Sequence, residues 1–213
     1  VAEFSDNLGD GKAFLVHRPM QPQKVCASAD FSFYEGRNIV AVGLRLDNTT
    51  GRAVRLKELY PIFCRGRGKK LTFGKVGDCR VLRNNWAGLD GQPHLHSLEA
   101  GTCLDAENSL LLYDRGARAA LACGIFEPAR CQTSFHISCP ERKKSSLEFF
   151  VRQRPLVSNV ADVERSGIVL GERQSFSTGR IALVYDEQPL EALEKYGKSV
   201  GIVNDIRKVE RIP

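Results

Sequence analysis

The chain has 213 residues, which suits one large β-domain or two small domains, and its 42% hydrophobic and 26% charged residues are those of an ordinary globular protein. No apolar run approaches the length of a membrane-spanning helix, so the sequence predicts no membrane partner. The net charge of +6 is modest, and its two basic clusters, residues 65–70 and 142–144, carry no interleaved aromatic residues; we therefore expect no nucleic-acid partner.

Seven cysteines are present, an odd number, so at least one cannot be paired within the chain. No two of them form a C-x-x-C pair, so the sequence predicts neither a zinc ribbon nor a thioredoxin-like motif. Cys123 falls in an apolar strand pattern and is expected to be a small buried hydrophobe. The disulfide pattern stays open, and with it the compartment: cytoplasmic and secreted or periplasmic locations both fit.

In the first half of the chain, the strongest strand signal is residues 39–46, where Val40, Val42, Leu44 and Leu46 alternate onto one face. A turn at residues 47–51 follows, and residues 53–60 begin the next apolar run. This pattern predicts either a hairpin or a connection between two sheets.

Residues 87–107 are polar and rich in glycine, which predicts a long loop with little structure of its own. Within it, His94 and His96 would lie on the same side of an extended segment, as half of a metal site. No third ligand is supplied nearby, so solvent-exposed histidines are the favoured interpretation and no metal is predicted. His17 and His136 are isolated, and each is expected to be a partly buried histidine with a hydrogen-bond partner.

The strongest hairpin signal is the strand, turn and strand of residues 109–126, and shorter strands are predicted at 131–139, 147–151 and 156–160. Residues 181–185 predict a last strand, and residues 190–200 a helix that begins at Pro189, where the missing N–H costs nothing. Leu190, Leu193 and Val200 share one face of that helix, which we expect to be partly packed and partly exposed, with Gly201 as its stop. Many short strands with no helix before residue 187 predict one mainly β domain, a sandwich of antiparallel sheets with a short C-terminal helix.

No catalytic constellation is visible in the sequence. It contains no nucleophile elbow, no Walker loop and no dinucleotide-binding glycine pattern. Its carboxylates are too scattered to name an acid/base pair, and no histidine is placed to orient a cysteine nucleophile. We therefore predict no catalytic residue and no cofactor.

Trp86 is the residue best suited to a ligand. Asn85 precedes it and Asp90 follows it in a polar loop, so an aromatic face, an amide and a carboxylate stand close together in the chain. Such a set can stack on a sugar ring and hydrogen-bond to its hydroxyls. The alternative is that Trp86 closes the rim of the core.

Several of these segments together resemble the β-supersandwich that lies N-terminal to the barrel in α-galactosidases of glycoside hydrolase family 36. The block of residues 109–130 is similar to a hallmark hairpin of that domain, and Gly171-Glu172, Ser177-Thr178-Gly179 and residues 181–185 resemble its closing strand. Residues 190–196 resemble the helix that leads into the barrel. Asn85-Trp86 resembles an Asn-Gly-Trp-Gln-Ser segment, although Ala87-Gly88 stands where Gln-Ser is expected.

The resemblance implies an antiparallel, galactose mutarotase-like β-supersandwich over residues 1–186, followed at 187–213 by a helix and linker that lead into a catalytic (β/α)₈ barrel. The catalytic aspartates would lie on that barrel, so the chain by itself would be inactive. Its implied partners are its own barrel, a galactoside-type carbohydrate near Trp86, and further copies of itself in a homo-oligomer. The alternative function is a free-standing carbohydrate-binding or mutarotase-like domain.

Overall fold

In the described part of the chain, three layers build the fold: a four-stranded sheet, a ten-stranded sheet and one α-helix. The computed structural model describes residues 1–17, 25–66, 71–84, 93–127, 131–140, 147–155 and 167–206. Within these residues all strand pairs are antiparallel. The predicted fold class, a mainly β supersandwich with a short C-terminal helix, is confirmed.

The elements follow one another in chain order as β1 (Ala2–Asp6), β2 (Gly9–His17), β3 (Val25–Tyr34), β4 (Ile39–Asn48), β5 (Val54–Leu56), β6 (Leu59–Cys64), a 3₁₀ turn (Val76–Asp78), β7 (Cys79–Arg83), β8 (His94–Ser97), β9 (Cys103–Glu107), β10 (Ser109–Asp114), β11 (Ala119–Ile125), β12 (Cys131–Ser138), β13 (Glu148–Pro155), β14 (Ile168–Leu170), β15 (Ser175–Ser177), β16 (Ile181–Asp186) and α1 (Pro189–Val203).

The large sheet has the order β1-β2-β3-β4-β16-β11-β10-β7-β8, with β15 added beside β4. The small sheet has the order β6-β13-β12-β9, and β14 pairs with β5 in a separate ribbon. Because β4 lies in the large sheet and β6 in the small one, the turn at residues 47–51 begins a connection between sheets rather than a hairpin. The predicted hairpin of residues 109–126 is confirmed as the pair β10 and β11.

Both faces of the large sheet are covered, which explains the nearly continuous apolar runs of its central strands. Leu110 and Leu112 point into a core shared with Phe135 and Val151 of the small sheet. Leu111, between them, points to the opposite face, into the core beneath α1. A strand buried on both sides needs apolar residues at every position, so the simple alternation of a half-buried strand disappears there.

Helix α1 packs on the large sheet through Leu193, Tyr196 and Val200. Leu190 is 77% exposed, so the expected division of the apolar face into packed and exposed parts is confirmed. The predicted stop at Gly201 is wrong, since the helix continues to Val203. Asn204 ends it instead, and its Nδ2 donates hydrogen bonds to the carbonyl oxygens of Val200 at 2.8 Å and Phe126 at 2.9 Å.

The predicted long loop at residues 87–107 is wrong over its second half, because β8 and β9 form there. Both strands are short, and their mixed burial produces no apolar run that a sequence pattern could reveal. Their stability comes from pairing with β7 and β12. The prediction that no helix precedes residue 187 holds for α-helix in the described residues, while the 3₁₀ turn at Val76–Asp78 adds one short exception.

Some predictions fall on segments outside the described residues: positions 67–70 of the first basic cluster, the cluster at 142–144 and the strand at 156–160. None of the helices in the described part of the chain is long and apolar enough to cross a membrane.

Candidate functional site

The loop predicted to contact sugar leaves and re-enters the fold at one edge of the large sheet. Asn85, Trp86 and Asp90 themselves lie outside the described residues, so their role stays a prediction. The two ends of the segment are described: β7 ends at Arg83, which pairs with His94 at the start of β8. Among the described residues β8 is the last strand of the sheet, so both described ends of the segment lie at this sheet edge.

Arg83 organises this edge. Its Nε donates a hydrogen bond to His96 Nε2 at 2.9 Å, and its Nη1 donates to the backbone oxygen of Asp105 at 3.2 Å. Burial, together with the charge of Arg83 and the neighbouring His94, lowers the pKa of His96. His96 is therefore a neutral acceptor engaged with Arg83.

The half metal site suggested by His94 and His96 does not form a centre in the described residues. Their ring centroids are 6.3 Å apart, and His96 Nε2 is already bonded to Arg83. Across the ranges that the structure describes, no group of three or more histidine, cysteine, aspartate or glutamate side chains is arranged to hold a metal ion.

A second set of side chains lines the outer face of the small sheet, and we call it the outer-face row: Phe63, Phe150, His136 and Asp105. Strand register places them directly across from one another on four adjacent strands. The His136 ring stacks on the Phe150 ring with centroids 4.3 Å apart and an interplanar angle of 15°. Phe63 is 49% exposed, so the row presents an aromatic surface to solvent.

His136 is held from both edges of its ring. Its Nδ1 lies 3.0 Å from Asp105 Oδ1, and its Nε2 lies 3.8 Å from Cys103 Sγ. Its side chain is 15% exposed, which confirms the expected partly buried histidine with a partner. This association with a cysteine leaves no signal in the sequence, because Cys103 and Asp105 are more than thirty residues from His136 and only the pairing of β9 with β12 brings them together.

A third set of polar groups surrounds Arg180, at the start of β16. Its Nη2 lies 2.5 Å from Glu127 Oε1 and 3.8 Å from Asp6 Oδ2, and Tyr34 donates a 2.9 Å hydrogen bond to Asp6. Burial, aided by that bond, raises the pKa of Tyr34 to about 12, and burial also raises the pKa of the nearby Asp30 carboxyl. Because Arg180 neutralises both Asp6 and Glu127, this set joins β1 to the ends of β11 and β16.

The layered sheets, with one helix on the outer face of the larger sheet, define a β-supersandwich of the galactose mutarotase-like class. The fold is similar to that of the α-galactosidase from Lactobacillus brevis, with a TM-score of 0.61 and 13% identity over 94% of this chain and 26% of that one. It is also similar to a glycoside hydrolase family 36 α-galactosidase from Geobacillus stearothermophilus, with a TM-score of 0.55 and 14% identity over 88% of this chain and 29% of that one.

A protein assigned as an aldose 1-epimerase from Escherichia coli K12 has the same fold, with a TM-score of 0.50 and 11% identity over 83% of this chain and 65% of that one. No family model matches the chain, and no curated protein sequence matches it. The likeness therefore shows the fold: the chain spans about a quarter of the length of the α-galactosidases and resembles their N-terminal domain, as the sequence analysis predicted.

Proposed function

We propose that the chain is the non-catalytic N-terminal accessory domain of an α-galactosidase-like glycoside hydrolase. The observation that carries the proposal is the coverage of the fold match, since 94% of this chain corresponds to only 26% of the α-galactosidase from Lactobacillus brevis. A domain of this kind supports a catalytic domain encoded in the same protein. In this proposal residues 1–186 form the supersandwich, and residues 187–213 are the helix and linker that lead into a (β/α)₈ barrel.

The exposed side of α1 supports this arrangement. Leu190 is 77% exposed and Ile202 is 42% exposed, and Ile206 just beyond the helix is 62% exposed. Ile202 and Ile206 line one surface groove, and exposed apolar side chains of this kind are suited to contact with another domain. The adjoining barrel would cover them.

The described carboxylates also support an accessory role. Glycoside hydrolysis requires two carboxyl groups that flank the scissile bond. Asp6 and Glu127 are bound to Arg180, and Asp105 is bound to His136. These three acids are engaged in ion pairs and hydrogen bonds within the fold, which favours a structural role for them.

The proposal also includes direct contact between this domain and the sugar. Trp86 would stack on a galactoside ring while Asn85 and Asp90 bind its hydroxyls, from an anchor held by Arg83 and His94 at the sheet edge. The domain would also help the whole enzyme to form homo-oligomers.

The experiment compares this chain with the protein encoded by its complete reading frame, on aryl α-galactosides. We expect turnover by the complete protein and none by the chain alone. Turnover by the chain itself would overturn the accessory role, and a complete protein without any glycosidase activity would overturn the proposed parent enzyme. In the complete protein, Trp86→Ala is expected to raise KM, with Trp86→Phe as the matched control that keeps an aromatic face.

A second function, a free-standing carbohydrate-binding or mutarotase-like domain, is favoured by the match with the Escherichia coli protein, of which this chain covers 65%. It predicts that the chain alone binds galactose in calorimetric titration. The absence of heat at millimolar sugar would rule it out, and binding that survives Trp86→Ala would move the site away from that loop.

A further inference from the structure

Cys103, His136 and Asp105 stand in line on the outer face of the small sheet. Asp105 Oδ1 lies 3.0 Å from His136 Nδ1, and Cys103 Sγ lies 3.8 Å from His136 Nε2. A nucleophile within hydrogen-bond reach of a base, with the base oriented by a third group, is the arrangement that activates a thiol.

The two contacts lie on opposite edges of one imidazole ring. Sulfur and carboxylate therefore cannot converge on a single ion, which agrees with the absence of a metal-binding group among the described residues. With Nδ1–H donating to Asp105, Nε2 is left as the acceptor that faces the thiol. This is a proton-transfer geometry rather than a metal-binding geometry.

Cys103 differs from the other cysteines in its exposure to solvent. None of the seven cysteines forms a disulfide; Cys103 is exposed, Cys26 and Cys64 are half-buried, and the remaining four are buried. Asp105 is also open to solvent, with 61% of its side chain exposed. A reagent can therefore reach the sulfur that faces the histidine.

We propose that Cys103, His136 and Asp105 form a reactive-thiol site that is modified by low-molecular-weight disulfides. His136 Nε2 accepts the proton of the Cys103 thiol, and the thiolate attacks one sulfur of the disulfide. The old S–S bond breaks as the new one forms, so Cys103 is oxidised to a mixed disulfide. The other half of the reagent leaves as a thiolate, which is the reduced product, and takes up the proton from His136.

The Phe150 ring orients the base in this reaction. It stacks on the His136 ring with centroids 4.3 Å apart and an interplanar angle of 15°, which fixes the imidazole plane while Nε2 faces the thiol. The site is independent of the proposed accessory function, since it uses neither the loop at residues 85–92 nor α1.

The test uses dithiodipyridine at pH 7, with the released thiopyridone followed by absorbance and the modified cysteine identified by peptide mass spectrometry. We expect Cys103 to react first, ahead of Cys26 and Cys64. Because His136→Gln removes the group that accepts the thiol proton, it is expected to slow the reaction of Cys103 about fivefold. Asp105→Asn, a conservative change at an exposed side chain, is expected to slow it about twofold, since an oriented base contributes less when its partner is weakened.

Two controls complete the experiment. Cys103→Ser removes the fast phase, and His94→Gln, which changes a histidine on β8, leaves it unchanged. The rates of Cys26 and Cys64 report folding, because a disrupted sheet would accelerate them in any variant. If Cys103 reacts no faster than Cys26, or if both His136→Gln and Asp105→Asn react at the wild-type rate with the fold intact, the proposal is overturned.

Discussion

Gly124 on β11 lies directly beneath the ring of Tyr196 on α1, and this contact sets the closeness of helix and sheet. A Cβ placed at Gly124 would stand 2.1 Å from Tyr196 Oη and 2.2 Å from Cζ, distances that real atoms do not tolerate. The Tyr196 hydroxyl donates a 2.8 Å hydrogen bond to the carbonyl oxygen of Ile125. The backbone at Gly124 does not have positive φ, so alanine suits the strand itself, and the cost of Gly124→Ala comes from the helix contact.

Two terms give the size of the effect. Overpacking a well-packed core costs about 1–3 kcal/mol. Displacing the Tyr196 ring also breaks its hydrogen bond to Ile125, which costs about 1 kcal/mol. We therefore expect Gly124→Ala to lower the free energy of unfolding by about 2–4 kcal/mol, which for a chain of this length lowers Tm by roughly 5–15 °C.

The assay is urea and thermal unfolding followed by circular dichroism, in a double-mutant cycle with Tyr196→Ala. Without the ring the added methyl group has space, so Gly124→Ala is expected to cost less than about 1 kcal/mol in that background. The matched control is Gly197→Ala, a helical glycine with nothing within 4 Å of the new Cβ, which should stabilise the protein by about 0.5–1 kcal/mol. Equal losses from Gly124→Ala with and without Tyr196 would refute this account of the interface.

Two further substitutions test charged groups in the fold. Burial tends to raise the pKa of Asp114, but backbone N–H groups of Ala117, Lys75 and Gly116 bond to its carboxylate and lower that pKa below its ordinary value. The ionised Asp114 carboxylate therefore stabilises the folded state at pH values above its unfolded pKa of about 3.9, and this stabilisation is lost as the pH falls through the folded pKa. Asp114→Asn should lower the free energy of unfolding by about 1–3 kcal/mol at pH 7 and by less at pH 3, as measured by urea unfolding. For Asp30 the sign is opposite, because burial raises the pKa of its carboxyl in the folded state and its charge therefore opposes folding at neutral pH. Asp30→Asn should raise Tm at pH 7, and this gain should disappear below about pH 3, well under the unfolded pKa, where the carboxyl is protonated in both states. A lower Tm for Asp30→Asn at pH 7 would contradict that assignment.

The parts of the fold that the sequence predicts well are those whose burial is strong and local. The pair β10 and β11, the strand β16 and the start of α1 at Pro189 all follow from apolar runs, turn residues and the missing N–H of proline. The sequence does not reveal the strands β8 and β9, because both are short and mix exposed positions with half-buried or buried ones. They are strands because they pair with β7 and β12, and that pairing leaves no pattern along the chain. The helix does not stop at Gly201, because its end depends on the capping residue Asn204, whose side chain bonds to the carbonyl oxygen of Phe126.

The two candidate sites also differ in how far the sequence predicts them. The ligand-binding character of Trp86, Asn85 and Asp90 rests on residue types that are adjacent in the chain, and it stays a prediction. The association of Cys103, Asp105 and His136 could not be predicted, because it depends on the register between β9 and β12, and a shift of one residue would turn the side chains to the other face.

By itself, the sequence determined that this protein is a mainly β sandwich of antiparallel sheets with a C-terminal helix, since hydrophobic periodicity and turn chemistry act over a few neighbouring residues; the supersandwich was implied by the family resemblance. Tertiary structure alone decided which strands share a sheet, which face each side chain occupies, and hence which distant residues meet. The contact of Gly124 with Tyr196 and the line from Cys103 through His136 to Asp105 are of this second kind. Both arise from pairing register and layer packing, which bring together positions that no local pattern connects.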